Sequence, residues 1–133
     1  MQPCILVSEA TGFSHGAIKR LQTCARLLLR DLDRLSLLTA VCDIDVLWVR
    51  LKHKIDREVM EAAPNLRMIA TPTTGLNHID LGEAERRGIH VISLQGAADF
   101  LQSVYATAEH TVALILGLMR HLPGAHEHVI SGH

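Results

Sequence analysis

Met68-Ile-Ala-Thr-Pro-Thr-Thr-Gly75-Leu-Asn-His-Ile-Asp80 is the stretch whose reading decides the fold. Met68 to Ala70 supply the short apolar run of an inner strand, and Pro72, which has no N–H to give to a ladder, marks where that strand stops. Asp80, with Glu83 three residues later, spells a capping box, so a helix is predicted to open there and Gly88 to close it. Between the stop and the start stand Thr73, Thr74 and Gly75, small residues that expose main-chain N–H groups and let a ligand come close. Such a loop suits an anion. In an open parallel sheet, ligands bind in the crevice at the carboxyl ends of the strands, where this loop would lie. The competing reading is an ordinary strand-to-helix turn that binds nothing.

Working outward, the same alternation repeats. Ile5 to Val7 reads as a first strand, and Ser14 as the N-cap of a helix with Ile18, Leu21 and Ala25 at helical spacing. Leu27 to Leu29 is read as a second strand in preference to an extension of that helix, because Asp33 then caps a new short helix. The apolar stripe of that helix is Leu35, Leu38 and Val41 or Cys42. Val46 to Val49 is nearly continuous and β-branched or aromatic, as in a central strand buried on both faces. Asp56 caps the next helix through Glu61, and Pro64 closes it. After the central loop come a helix from Leu81 to Arg87 and a fifth strand from His90 to Leu94.

Strands alternating with helices at this spacing predict an α/β fold: a flavodoxin-like parallel sheet of about five strands, order 2-1-3-4-5, with helices on both faces and right-handed crossovers. The last third of the chain changes character. Thr107 to Arg120 reads as one long helix whose Val112, Leu114, Ile115, Leu116, Leu118 and Met119 surround the axis, so more than one side of it expects a cover. That cover would be a second domain or another subunit. The expected division is 1–102 for the sheet domain and 103–133 for the long helix and the start of a link.

The totals exclude several classes of function. Thirteen basic and fourteen acidic residues leave a net charge of -1, which gives no electrostatic footprint for nucleic acid or an anionic membrane. No apolar run approaches the roughly 18 residues of a membrane span, and the first residues lack the basic flank of a signal peptide. Cys4, Cys24 and Cys42 are odd in number and form no Cys-x-x-Cys pair, as expected of free thiols in a reducing cytoplasm. His121, His126, His128 and His133 gather near the end of the chain, but no cysteine or carboxylate joins them at a zinc-binding spacing. They read as a solvated helix tail. Glu109 and His110 are adjacent on a helix and point about 100° apart, so they are not read as a catalytic pair. Arg86 and Arg87 are read only as complements to their helix dipole.

Five pieces in order carry a resemblance: Val46-Leu-Trp-Val-Arg-Leu-Lys-His-Lys54, Ala62-Ala-Pro-Asn-Leu66, Thr74-Gly-Leu-Asn-His-Ile-Asp-Leu81, Arg87-Gly-Ile-His-Val91 and Ala106-Thr-Ala-Glu-His-Thr-Val-Ala-Leu114. Together they resemble the D-isomer-specific 2-hydroxyacid dehydrogenases, from about Val46 to Pro123. The resemblance implies the substrate domain of an oxidoreductase that moves a hydride between NAD or NADP and a small 2-hydroxy or 2-keto acid. Without its cofactor domain the long helix keeps an uncovered apolar strip, so a homodimer, or exchange of that helix between copies, is expected. The family's catalytic Arg, Glu and His lie in a portion that does not match this chain, so no catalytic residue is assigned. The nine glycines form no Gly-x-Gly-x-x-Gly, which agrees with a dinucleotide domain lying elsewhere. The expectation is a truncated enzyme, inactive by itself.

By the same resemblance, the main-chain N–H groups of Thr73, Thr74 and Gly75 hold the substrate carboxylate, and Asn77 and His78 border the cleft. Arg50 takes the place of the family's arginine at the end of the third strand, and Lys52 that of a second cation for phosphorylated substrates. Thr107 lies where relatives approach the nicotinamide end of the cofactor. Two departures bear on specificity: Thr73 replaces a common glycine, and the connection from Gly96 to Ala106 is longer than usual. Two other functions compete. Ala10 to Ser14 follows the first strand where a flavodoxin cradles the FMN phosphate, but the chain is poor in the aromatic residues that would sandwich a flavin, with Trp48 inside a strand. The other is a non-catalytic interaction domain that uses the long helix.

Overall fold

The structure, a computed structural model, describes residues 2–132. It falls into two compact units, residues 1–96 and the residues from Ala97 onward, each described by itself.

The first unit is built on a five-stranded parallel sheet. Its strands are β1 (Cys4–Val7), β2 (Arg26–Leu29), β3 (Val46–Trp48), β4 (Met68–Ala70) and β5 (His90–Ile92), in the order β2-β1-β3-β4-β5. This is the predicted order, and Leu27 to Leu29 are indeed strand. Helices α1 (His15–Gln22), α2 (Arg34–Ala40), α3 (Arg57–Glu61) and α4 (Leu81–Arg86) alternate with the strands.

Three helices start where an aspartate says they should. The carboxylates of Asp33, Asp56 and Asp80 accept from the main-chain N–H of Ser36, Val59 and Glu83, each filling one of the donors that a first turn leaves open. Ser14 stands at the N-cap of α1 but makes no side-chain cap bond. The capping box at Asp80 closes on one side only. Glu83 turns away from it and, almost fully buried, pairs with Arg86 and Arg87. Arg87 also reaches the Met60 carbonyl at 3.4 Å and Glu61 at 3.4 Å, so it clamps α4 to α3 beyond any effect on the helix dipole. Gly88, at φ +67°, ends α4 in the left-handed region as expected.

The core lies on one face of the sheet. Leu6, Leu47 and Ile69 project there against Leu37 and Val41 of α2, Val59 and Met60 of α3 and Ala84 of α4. The stripe of α2 is therefore Leu37, Leu38 and Val41, whereas Leu35 is 77% exposed. Helix α1 stops at Gln22, short of the predicted Ala25, which is buried beyond it. On the opposite face α1 packs over β2, and Ile5 and Val7 are buried. Val46, Trp48, Met68 and Ala70 on that face are only half-buried, and Ile92 is exposed. The expectation that β3 is buried on both faces is thus corrected: the described residues cover it fully on one. Strand β5 also ends at Ile92, two residues before the predicted Leu94.

The second unit contains α5 (Ala98–Leu101), a short helix in what was read as a plain connection, then α6 (Ala106–Met119) and α7 (Leu122–Ile130). Helix α6 matches the predicted long helix. Val112, Leu114, Ile115, Leu116, Leu118 and Met119 are all at least half exposed, because the apolar residues occur on every side of the axis. Among the described residues no helix is long and apolar enough to cross a membrane, and no group of three metal-ligating side chains comes together. His133 of the terminal histidine group lies outside the described residues.

Candidate functional site

The loop after β4 is held at its edges and open in its middle. Thr71 N–H donates to the Ile92 carbonyl at 2.9 Å, and Leu94 N–H donates to the Thr73 carbonyl at 3.1 Å. The Thr73 hydroxyl bridges Thr71 Oγ1 at 3.0 Å and the Gly75 carbonyl at 2.8 Å. These bonds use carbonyls and hydroxyls. Among the described residues, the main-chain N–H groups of Thr73, Thr74 and Gly75 donate to no acceptor, and Thr74 and Gly75 are exposed. A run of free amides is a site for a carboxylate, which would take charge-assisted hydrogen bonds from it. Gly75 does not have a positive φ, and a Cβ there would meet only Asn77 Oδ1 at 3.8 Å. Its smallness keeps the approach to the amides clear; the turn itself does not require a glycine.

The next segment is pinned from below. Ile79 N–H donates to the Leu76 carbonyl at 2.9 Å, and a parallel bridge pairs Ile79 with Ile55 beyond β3. Asn77 is exposed, whereas both ring nitrogens of His78 are buried without a partner among the described residues. Burial pushes the His78 pKa below the ordinary histidine value, and the charge of Glu9 opposes it. Burial thus favours the uncharged form of His78. His53, 4% exposed and with an unpartnered Nε2, is shifted the same way, mainly by burial against the opposing pull of Glu9.

Both cations after β3 are already engaged. Arg50 Nη2 donates to the carbonyls of Thr11 at 2.7 Å and Glu9 at 3.3 Å, while Nη1 has no partner among the described residues. Lys52 Nζ donates to the Leu32 carbonyl at 2.6 Å, and its charge helps hold the Asp31 and Asp33 carboxyls below their ordinary range, behind the hydrogen bonds from Thr11 and Ser36. Lys52 thus ties down the loop after β2.

Arg50 and Pro72 also line a recess of about 550 Å³ whose other walls include Phe13, Leu21, Trp48 and Arg20. Phe13 and Trp48 meet edge to face at 4.7 Å between ring centres, and the Arg50 guanidinium lies 6.0 Å from the Trp48 ring centre. Strand β3 therefore delivers Trp48 to the edge of the site, which its reading as a wholly buried residue missed. The two rings occupy each other in a T-shaped contact, so they do not form parallel walls for a flavin.

Glu9 is a buried acidic residue at this edge that sequence reasoning did not single out. It sits just after β1, 7% exposed, and accepts from the main-chain N–H of Arg50 at 2.7 Å and of Lys52 at 3.4 Å. The only signal in the sequence was an acidic residue closing an apolar strand, and that position is commonly solvated. Seven of the predicted residues, Arg50, Lys52, Thr73, Thr74, Gly75, Asn77 and His78, lie on two adjacent loops at the carboxyl ends of β3 and β4. Thr107 belongs to the second unit, exposed in the first turn of α6, where its carbonyl accepts from Thr111 Oγ1 at 2.8 Å.

A parallel sheet in this order, with an amide-lined loop at its carboxyl edge, defines an α/β domain of flavodoxin-like topology. The sequence matches the D-isomer specific 2-hydroxyacid dehydrogenase catalytic-domain model over residues 5–127, and the chain belongs to that family. A glyoxylate reductase of Pyrococcus furiosus is 42% identical over 103 residues, which cover 77% of this chain and 29% of the relative. A protein from Thermus thermophilus superposes with a TM-score of 0.83 at 28% identity, over 97% of this chain and 40% of that one. The D-lactate dehydrogenase of Aquifex aeolicus, solved with NAD and lactic acid, shares the fold with a TM-score of 0.78 at 22% identity, over 96% of this chain and 37% of that one. The chain thus spans less than a third of the length of the curated glyoxylate reductase it matches.

Proposed function

We propose that this chain is the substrate-binding part of an NAD- or NADP-dependent oxidoreductase that interconverts small 2-keto acids and D-2-hydroxy acids. The observation that carries the reading is the run of unpaired N–H groups at Thr73, Thr74 and Gly75, placed at the carboxyl edge of the sheet. Family membership and the likeness to a glyoxylate reductase support it. The amides fix the carboxylate, and so decide which face of C2 a hydride can reach. Arg50 Nη1 offers a second charged contact at the same edge.

The residues of this chain do not supply a dinucleotide cradle. The loop after β1 carries Gly12 alone before the first residues of α1, and no Gly-x-Gly-x-x-Gly occurs in the sequence. The nicotinamide and the acid–base residues then come from outside the part described, with Thr107 as this chain's contribution near the cofactor, and the chain alone turns nothing over. In this reading residues 1–102 form the acid-binding domain and 103–133 the element that joins it to the cofactor domain. Two copies associate through the apolar surface of α6.

The test is a titration of the ¹⁵N-labelled chain with pyruvate and glyoxylate. Shifts confined to the amides of Thr73 to Asn77 and to the Arg50 side chain are expected. Shifts elsewhere, or none, would remove the acid from this loop.

A further inference from the structure

Glu9 is a carboxylate withdrawn from water, and each group it holds belongs to the strand end that presents Arg50. Its Oε1 accepts from Arg50 N–H at 2.7 Å, its Oε2 from Lys52 N–H at 3.4 Å, and Oε2 lies 3.8 Å from Arg50 Nε. In return, Arg50 Nη2 donates to the carbonyls of Glu9 and Thr11, so the two residues grip each other's backbones as well as each other's charges. The grip fixes Nη2 by hydrogen bonds, holds Nε only by the 3.8 Å ion pair, and leaves Nη1 without a partner among the described residues. An arginine side chain has several rotatable bonds and settles in one geometry only when its donors are fixed. A carboxyl group withdrawn from water needs donors, and Glu9 finds them in the main-chain N–H groups of Arg50 and Lys52.

We propose that Glu9 is a positioning residue of the acid site: it shapes residues 50–52 and holds the Arg50 guanidinium so that Nη1 is left for an incoming carboxylate. The proposal rests on the reading that Arg50 and the Thr73–Gly75 amides share one acid.

The experiment is a double-mutant cycle on this chain, with pyruvate as the probe and ¹⁵N spectra as the readout. Glu9→Gln and Arg50→Ala are each expected to weaken pyruvate binding about tenfold, the scale of one charge-assisted hydrogen bond. The double variant should be no weaker than Arg50→Ala, because Glu9 acts only through Arg50. Additive losses, or Glu9→Gln binding like the wild type, would overturn the proposal. The Arg50 main-chain N–H, which donates to Glu9 Oε1 at 2.7 Å, adds a readout that needs no ligand. It should be slow to exchange in the wild type and faster in Glu9→Gln; an unchanged rate overturns the role. If pyruvate leaves the wild-type Thr73–Gly75 amides unmoved, the acid-site reading fails, and the exchange of that N–H alone judges the grip. If Glu9→Gln does not fold, hydrogen exchange of Arg50 and Lys52 N–H in the wild type decides: protection supports the proposal and fast exchange overturns it.

Discussion

The Ile55 N–H donates to the His78 carbonyl at 2.7 Å, and Asp80 N–H returns the bond to the Ile55 carbonyl at 2.9 Å. This bridge clips the loop that follows β3, with Arg50 and Lys52, to the loop that follows β4, with the free amides. Ile55 and Ile79 anchor the bridge in the core, at 0% and 5% exposure. Ile55→Ala should therefore cost about 2–5 kcal/mol, the usual range for emptying a fully buried isoleucine site. Urea unfolding followed by circular dichroism measures it. A loss under about 0.5 kcal/mol, the scale of a surface substitution, would show that the clip is not anchored there.

The caps make a sharper comparison because two similar positions differ in one bond. The Asp80 carboxylate accepts from Glu83 N–H at 2.9 Å, whereas Ser14 caps nothing with its side chain. Asp80→Ala should lower stability by about 1 kcal/mol, and Ser14→Ala by only a few tenths. The same urea curves report both, and equal losses would mean that the Asp80 bond contributes nothing of its own.

Acid should weaken the fold in two stages. Burial lowers the pKa of His53 and His78 below the unfolded value of 6.5, with Glu9 opposing in each case. Below pH 6.5 the unfolded chain binds those protons first, so stability present above that pH falls as pH drops through the folded values, then levels off. A second decline belongs to the depressed carboxylates Asp31, Asp33, Glu61 and, at the start of α3, Asp56. Burial raises the pKa of Asp56, but hydrogen bonds from Arg34 and Val59 outweigh that and hold it below 3.8, so its contribution is lost at still lower pH. The urea midpoint should be flat from pH 8 to 7 and decline from about pH 6.5. His78→Asn should shrink the first decline and leave the second in place. A first decline unchanged in His78→Asn would assign it to other groups.

Much of this was legible because local chemistry and tertiary position agree. Asp33, Asp56 and Asp80 each announce a helix start that depends on only three following residues, and all three caps form. The alternation of elements gave the parallel sheet, whereas the order 2-1-3-4-5 was only the one that suits so short a chain, and the structure has it. What the sequence hid depends on contacts between distant residues. Glu9 looks like a solvated strand end until β3 brings the amides of Arg50 and Lys52 to it across 41 and 43 positions. Glu83 satisfies a capping-box pattern, yet two arginines one turn onward compete for it and win. Trp48 reads as core by composition, but the cover of its sheet face stops at α1, and the ring lies in the recess wall.

Helix α6 leads to the last expectation. Its Val112, Leu114, Ile115 and Leu116 are 51–55% exposed, and Leu118 and Met119 are 75% and 70% exposed. An apolar surface that continues around a helix of 14 residues is larger than a solitary chain keeps in water without association. At about 25 cal/mol per Å² of apolar area removed from water, covering a few of these side chains contributes several kcal/mol, enough to offset much of the entropy of pairing. The chain should therefore form a dimer or exchange α6 between copies. Light scattering should show a mass that rises with concentration from 14.6 kDa toward twice that value. Ile115→Glu with Leu118→Glu should return the monomer without lowering the urea midpoint of the sheet unit, whose core contains neither residue. A mass that stays monomeric at every concentration would count against association through α6.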